Sequence, residues 1–340
     1  MTIDRRSGLS YEQFEREYLI PRRPVILTDA LDQCPARTRW TPEYFKRVVG
    51  HRTVATDSGA MKMSDVMDGI ERSRVAGKVP FLRERPVPWI LPELLPDMDP
   101  YPVYARPNWF EYPFARWADL TGRGFGAMLL RLAQTDINVT GPGVNFPYLH
   151  LDRFRCHALI MQWYGNKEFF VFDPAQTPYL YPNEDGDLAG VNDVLNPDLV
   201  RFPLFAQAKM HRATLNAGEA LFNPSGWWHT TRTLDPSIAT VISFANRSNW
   251  TLIVRRMMPR GLKSKLAFAP FALYLLALGW LRLPGYRFRS AARLDSSLLA
   301  FEHFQRIAGK SFPVSWENAS AMVDASVPST AAAPAAKSVA

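Results

Sequence analysis

The sequence predicts a mainly β fold, an all-β sandwich or barrel, with flanking helices and a C-terminal helical region. Three observations carry this expectation. Short runs rich in Val, Ile, Phe, Thr and Trp follow one another from Asp136 to Ala245: DINVTGPG, HALIMQWYG, KEFFVFDP, KMHRATLNAGEALFNP and SIATVISFA. Gly, Pro, Asn and Asp separate these runs, and no long helical pattern intervenes. Past Asn249 the chain turns helical and apolar.

Taken in order, residues Tyr11 to Gly50 read as a short helix, a strand at PVIL (Pro24 to Leu27) and another helix. Thr41 caps that second helix, with Pro42 at its first position and Gly50 at its end. Further helices are expected over Ser64–Ala76 and Phe125–Leu132. Prolines are dense from Pro80 to Pro113, so this stretch reads as loop and short turns. GNK at 165–167 and NAGE at 216–219 read as turns between neighbouring strands. The Ala/Pro/Ser-rich end, from about Ala321, cannot bury a core and is expected to be disordered. The expected organisation is a core domain over 1–250 with an N-terminal α/β cap, a helical region over 251–320 and a tail over 321–340.

The chain of 340 residues is 47% hydrophobic, which supports a sizeable core and excludes global disorder. Its net charge is +8, thickened at Arg255, Arg256, Arg260, Lys263 and Lys265 and again at Arg282, Arg287, Arg289 and Arg293. Charge alone reads as a solvated surface, and no nucleic-acid partner is expected. Two cysteines, Cys34 and Cys156, cannot build a disulfide framework or a multi-cysteine zinc site. With an N-terminus that lacks the apolar core of a secretory signal, a cytoplasmic location is expected.

The chemistry-bearing pattern is His150-Leu151-Asp152, followed 79 residues later (229 − 150) by His229 in NPSGWWHTT. Alternate strand residues share a face, and a facing strand can bring His229 to the same point. Two imidazoles and one carboxylate leave coordination positions open, as non-haem iron(II) oxygenases require. Alone, His150 reads as an ordinary hydrogen-bonded histidine; a second histidine in an all-β context reverses that reading. Lys167 opens the apolar run KEFFVF, where a cation needs an anionic partner. It reads equally as an ordinary strand-edge lysine. Trp227 and Trp228 read as packing beside a barrel more than as a substrate mouth.

Together these stretches resemble the JmjC-type, cupin-like hydroxylases related to factor inhibiting HIF. RPVILTDALDQCPARTRWTPEYFKRVVG, VPFLRERPVPWILPEL, LHLD, QWYGNKEFFVFDP, NPDLVRFPLF and NAGEALFNPSGWWHTT match family segments in family order, over roughly residues 15 to 247. The resemblance implies a double-stranded β-helix (jelly-roll, cupin/JmjC-like) core. It implies iron(II) held by His150, Asp152 and His229, and 2-oxoglutarate with its distal carboxylate on Lys167. Phe81 stands where the family often has a cosubstrate-binding Tyr, and the usual Asn falls near His157 or Ala158. Asn145 and His157 are the candidates to supply the missing polar contacts; His157 reads as readily as a packed strand residue. The implied activity is hydroxylation of a C–H bond on a protein or small-molecule substrate. A cupin metalloenzyme that does not use 2-oxoglutarate and a non-catalytic, membrane-associated binding protein stay open as alternatives.

LAFAPFALYLLALGWL, Leu266 to Leu281, carries no charge and is apolar all round, so it is buried or in a membrane. It is shorter than the roughly 20 residues a bilayer span needs, and Pro270 lies inside it. Two readings are open: a helix packed on the core or forming a homodimer, and peripheral attachment at the inner face of an anionic membrane.

Overall fold

The computed structural model describes residues 2–72, 80–106, 108–111, 132–258 and 261–280. The expected helix Phe125–Leu132, apart from Leu132, lies outside those residues, as do the residues after 280. The N-terminal third alternates short helices with strands β1 (Asp4–Arg6), β2 (Val25–Leu27) and the hairpin of β3 (Thr53–Thr56) and β4 (Gly59–Lys62). Its helices include Pro42–Val49, whose Thr41 hydroxyl accepts from the Tyr44 amide, and Met63–Arg72. These helices bury Phe14, Phe45, Val66 and Ile70 against the outer face of the main sheet, beside Trp163, Phe222 and Phe244.

Strand β5 (Leu82–Pro86) lies within the proline-dense stretch that reads as loop in the sequence. LRERP has no apolar alternation, and only its pairing on an edge makes it a strand. The remaining strands are β6 (Thr135–Thr140), β7 (His157–Tyr164), β8 (Lys167–Phe172), β9 (Met210–Leu215), β10 (Ala220–Asn223), β11 (Trp228–Thr233) and β12 (Ser237–Phe244). They form a seven-stranded sheet in the order β1-β2-β10-β7-β12-β6-β5 and a three-stranded sheet in the order β11-β8-β9. Apart from the parallel β1–β2 pair, both sheets are antiparallel.

The two sheets face each other. Ala158, Ile160 and Leu221 of the large sheet pack with Phe169, Val171 and Leu215 of the small one. Gly165 makes the tight passage between them: its φ is +66°, and a Cβ there would meet the Pro236 carbonyl oxygen at 2.0 Å. Because successive strand side chains alternate, register then tells which residues point between the sheets. On β8 these are Lys167, Phe169 and Val171; their β11 partners are Thr233, Thr231 and His229.

After β12 come the helices Trp250–Met257 and Leu262–Trp280. The second begins four residues before the expected apolar run. Cys34 and Cys156 are both free and buried.

Candidate metal centre

The triad is assembled by one strand pairing. His150 lies opposite His229, and the two exchange backbone hydrogen bonds of 3.1 and 2.9 Å. Their rings stand 4.2 Å apart, centroid to centroid. Asp152 sits just beyond the strand end, where the chain turns through Arg153–Arg155 with Phe154 in the left-handed region. One ligand atom from each of His150, Asp152 and His229 lies within 4.8 Å of the other two, so a single ion can touch all three. His229 is buried, and the other two are half-buried, which leaves an approach from one side.

The electrostatics suit a divalent cation. Burial, with the neighbouring His229 charge, holds the His150 imidazole well below its ordinary pKa, so it is neutral and offers a lone pair. Burial pushes the Asp152 carboxyl up, against the pull of His229 and the Asn223 amide. One carboxylate beside two imidazoles is a donor set for iron, manganese or zinc.

Asn223 was not foreseen. Its amide nitrogen lies 3.1 Å from Asp152 Oδ2 and 3.1 Å from His229 Nδ1, so it ties two of the three ligands together. A lone Asn closing the apolar run ALFN is the signal that marks it. An aromatic wall was also missed. Phe146 stacks on His150 at 4.8 Å, Tyr148 meets the same ring edge-on at 5.1 Å, and Phe81 abuts Phe146. Arg83 lies over this wall, 5.9 and 5.8 Å from the Phe146 and Tyr148 ring centres. It gets there because β5 slips register between Leu82 and Arg85, with Glu84 at φ +50°. Phe81 itself, having no hydroxyl, cannot hydrogen-bond a cosubstrate.

Lys167 is 5% exposed, and burial alone pulls its ammonium down to about 8. It forms no ion pair or hydrogen bond among the described residues. On β6, the buried Thr140 hydroxyl likewise has no partner among them. Register places Thr140 opposite Ser237, on the same side of the large sheet as Asn138, Ala239 and Gln162. Buried polar groups are rarely left unpaired without a task.

The two other expected contacts are placed elsewhere. His157 is fully buried on the outer face of β7, beside Phe222 and Phe244. Its Nδ1 accepts from the Ser225 amide and its Nε2 donates to Ser248 Oγ at 2.7 Å, so both ring nitrogens are occupied. Burial holds this ring at about 3, hence neutral. Asn145 is exposed and pairs opposite Arg232, whose side chain points away from the triad to Glu168. Trp227 and Trp228 are packing residues: their indole N–H groups donate to the Arg22 carbonyl and Thr177 Oγ1.

Residues 140–249 match the family described as "Cupin-like domain". The chain is 29% identical over 235 residues to "Lysine-specific demethylase 8" of Xenopus tropicalis, covering 68% of this chain and 50% of that one. It is 27% identical over 238 residues to "HSPB1-associated protein 1" of Homo sapiens, covering 66% and 48%. To "tRNA wybutosine-synthesizing protein 5" of Homo sapiens it is 27% identical over 247 residues, covering 67% and 73%. The chain thus spans about half the length of the first two relatives.

Proposed function

We propose that this chain is an iron(II)- and 2-oxoglutarate-dependent oxygenase, its two facing sheets closed as a double-stranded β-helix, that hydroxylates a C–H bond. The observation that carries the reading is the pairing of an open His-Asp-His triad with a buried lysine, on the same inward face, that has no partner among the described residues. When bound, the metal and cosubstrate would supply the oxidising chemistry: dioxygen would give one oxygen atom to 2-oxoglutarate, which becomes succinate and carbon dioxide, and the other to the substrate C–H bond as a hydroxyl.

The protein's own work is holding and excluding. His150, Asp152 and His229 hold the ion, and the Asn223 amide keeps Asp152 and His229 in place. Lys167 pairs with the distal carboxylate, and the Thr140 hydroxyl donates to it. Phe146 covers one face of His150 and keeps water from it. The polar contacts expected of Asn145 and His157 are assigned instead to Thr140 and Arg83. Arg83 stands at the mouth, where it meets the substrate. The names of the relatives speak of lysine and of tRNA; a protein side chain is the substrate class we favour for this chain.

Anaerobic titration of the protein with iron(II) and then 2-oxoglutarate tests the reading. A visible charge-transfer band that grows only when both are present is expected. Iron binding with no band would leave a cupin metalloenzyme that does not use this cosubstrate.

A further inference from the structure

The helix Leu262–Trp280 has an apolar composition on every side, LKSKLAFAPFALYLLALGW, so it needs cover all round. The protein covers one flank. Ala272 is buried, and Leu276 packs beside it against Trp109, Phe110, Trp250, Ile253 and Met257. Among the described residues nothing covers the other flank. Leu262, Leu266 and Leu273 are 74%, 65% and 66% exposed. At 3.6 residues per turn these positions fall on one stripe, which the exposed Ala277 extends. A row of leucines in water is unusual for a helix of this length and marks a surface that meets another apolar phase.

The charge around the stripe says which phase. From Pro236 to Leu294 the chain contains no Asp or Glu, while it contains Arg247, Arg255, Arg256, Arg260, Lys263, Lys265, Arg282, Arg287, Arg289 and Arg293. Arg255, Lys263 and Lys265 are exposed and carry no ion pair among the described residues. Arg256 and Arg247 are answered by Asp187 and Glu15. Arg255, Lys263 and Lys265 beside the stripe are not answered among the described residues, and a two-fold interface would set these cations against their own copies. A partner that offers both hydrocarbon and negative charge is an anionic bilayer. Among the described residues no helix is long and apolar enough to cross a membrane, so the contact lies along the surface.

We propose that the exposed Leu262–Leu266–Leu273 face docks this protein on the surface of an anionic phospholipid membrane, with Lys263, Lys265 and Arg255 at the headgroups. This places the metal centre at a membrane surface whatever its substrate proves to be.

The test is co-sedimentation of the purified full chain with vesicles of phosphatidylcholine alone or mixed three to one with phosphatidylglycerol. Roughly tenfold more protein is expected on the anionic vesicles at low salt, and most of it should leave at high salt as screening shortens the reach of the charges. L266D/L273D should abolish binding, and K263E/K265E should reduce it severalfold. Both variants should still bind iron(II), which shows that they are folded. Equal recovery on neutral and anionic vesicles would overturn the proposal, as would no recovery on either. So would a lipid-free dimer that L266D/L273D splits and that ignores vesicles.

Discussion

Two neighbouring residues on β8 show what a charge is for in this fold. Lys167 and Glu168 are each 5% exposed, and they point to opposite faces of the same sheet. Glu168 is answered within the protein: Arg212 and Arg232, on the strands at either side, both donate to its carboxylate. Lys167 is answered by nothing among the described residues, and its affinity for a proton has fallen accordingly. A buried charge that is satisfied locks strands together. A buried charge left unsatisfied is costly, and it persists where a ligand completes it.

The largest effect expected on this contrast is at the metal. Asp152→Ala removes the only anionic ligand of the triad and should abolish both iron retention and succinate formation, measured by metal analysis and product assay. Full turnover in that variant would remove the triad from the mechanism. Lys167→Met should leave iron bound and weaken 2-oxoglutarate by the worth of a charge-assisted contact, about 1.5–3 kcal/mol. Titration of the anaerobic iron form reads this directly. Asn223→Ala should cost about tenfold to a hundredfold in metal affinity, a scale typical of residues that orient ligands. If iron affinity is unchanged, the Asn223 contacts with Asp152 and His229 are incidental.

Proton linkage gives a finer test of the Lys167 side. Its folded value, about 8, lies below the ordinary 10.5, so the folded chain binds fewer protons than the unfolded one between these limits. Burial of the charge therefore costs stability below about pH 8, and the cost fades as pH rises toward 10.5. Cosubstrate binding runs the other way, because it needs the charged form. The dissociation constant for 2-oxoglutarate should rise above pH 8, by at most about tenfold per unit. Lys167→Met should show no such rise. The smallest effect belongs to Glu168→Gln. It should lower stability by about 1 kcal/mol, since Arg212 and Arg232 are partly exposed and can be rehydrated. The 2-oxoglutarate constant should not move; a shift there would mean that the two faces of β8 are coupled.

Much of this molecule was legible in its residues. Strands β6, β7, β8, β9, β10 and β12 follow from runs of β-branched and aromatic residues between turn formers. The Gly165–Asn166 turn and the Thr41 cap depend only on local conformation, which neighbouring residues dictate. His150, Asp152 and His229 stood out because their types and order carry chemistry of their own. Tertiary structure decided what depends on pairing. β5 is a strand only because β6 offers it an edge, and its bulge aims Arg83 over the aromatic wall. His157 and Lys167 both sit in apolar runs that look alike in sequence. Strand register sends one outward to Ser225 and Ser248 and the other inward, where it has no partner among the described residues. Asn223 became a support of the metal site for the same reason: the period of a strand is two, so a single step of register decides which face each side chain joins.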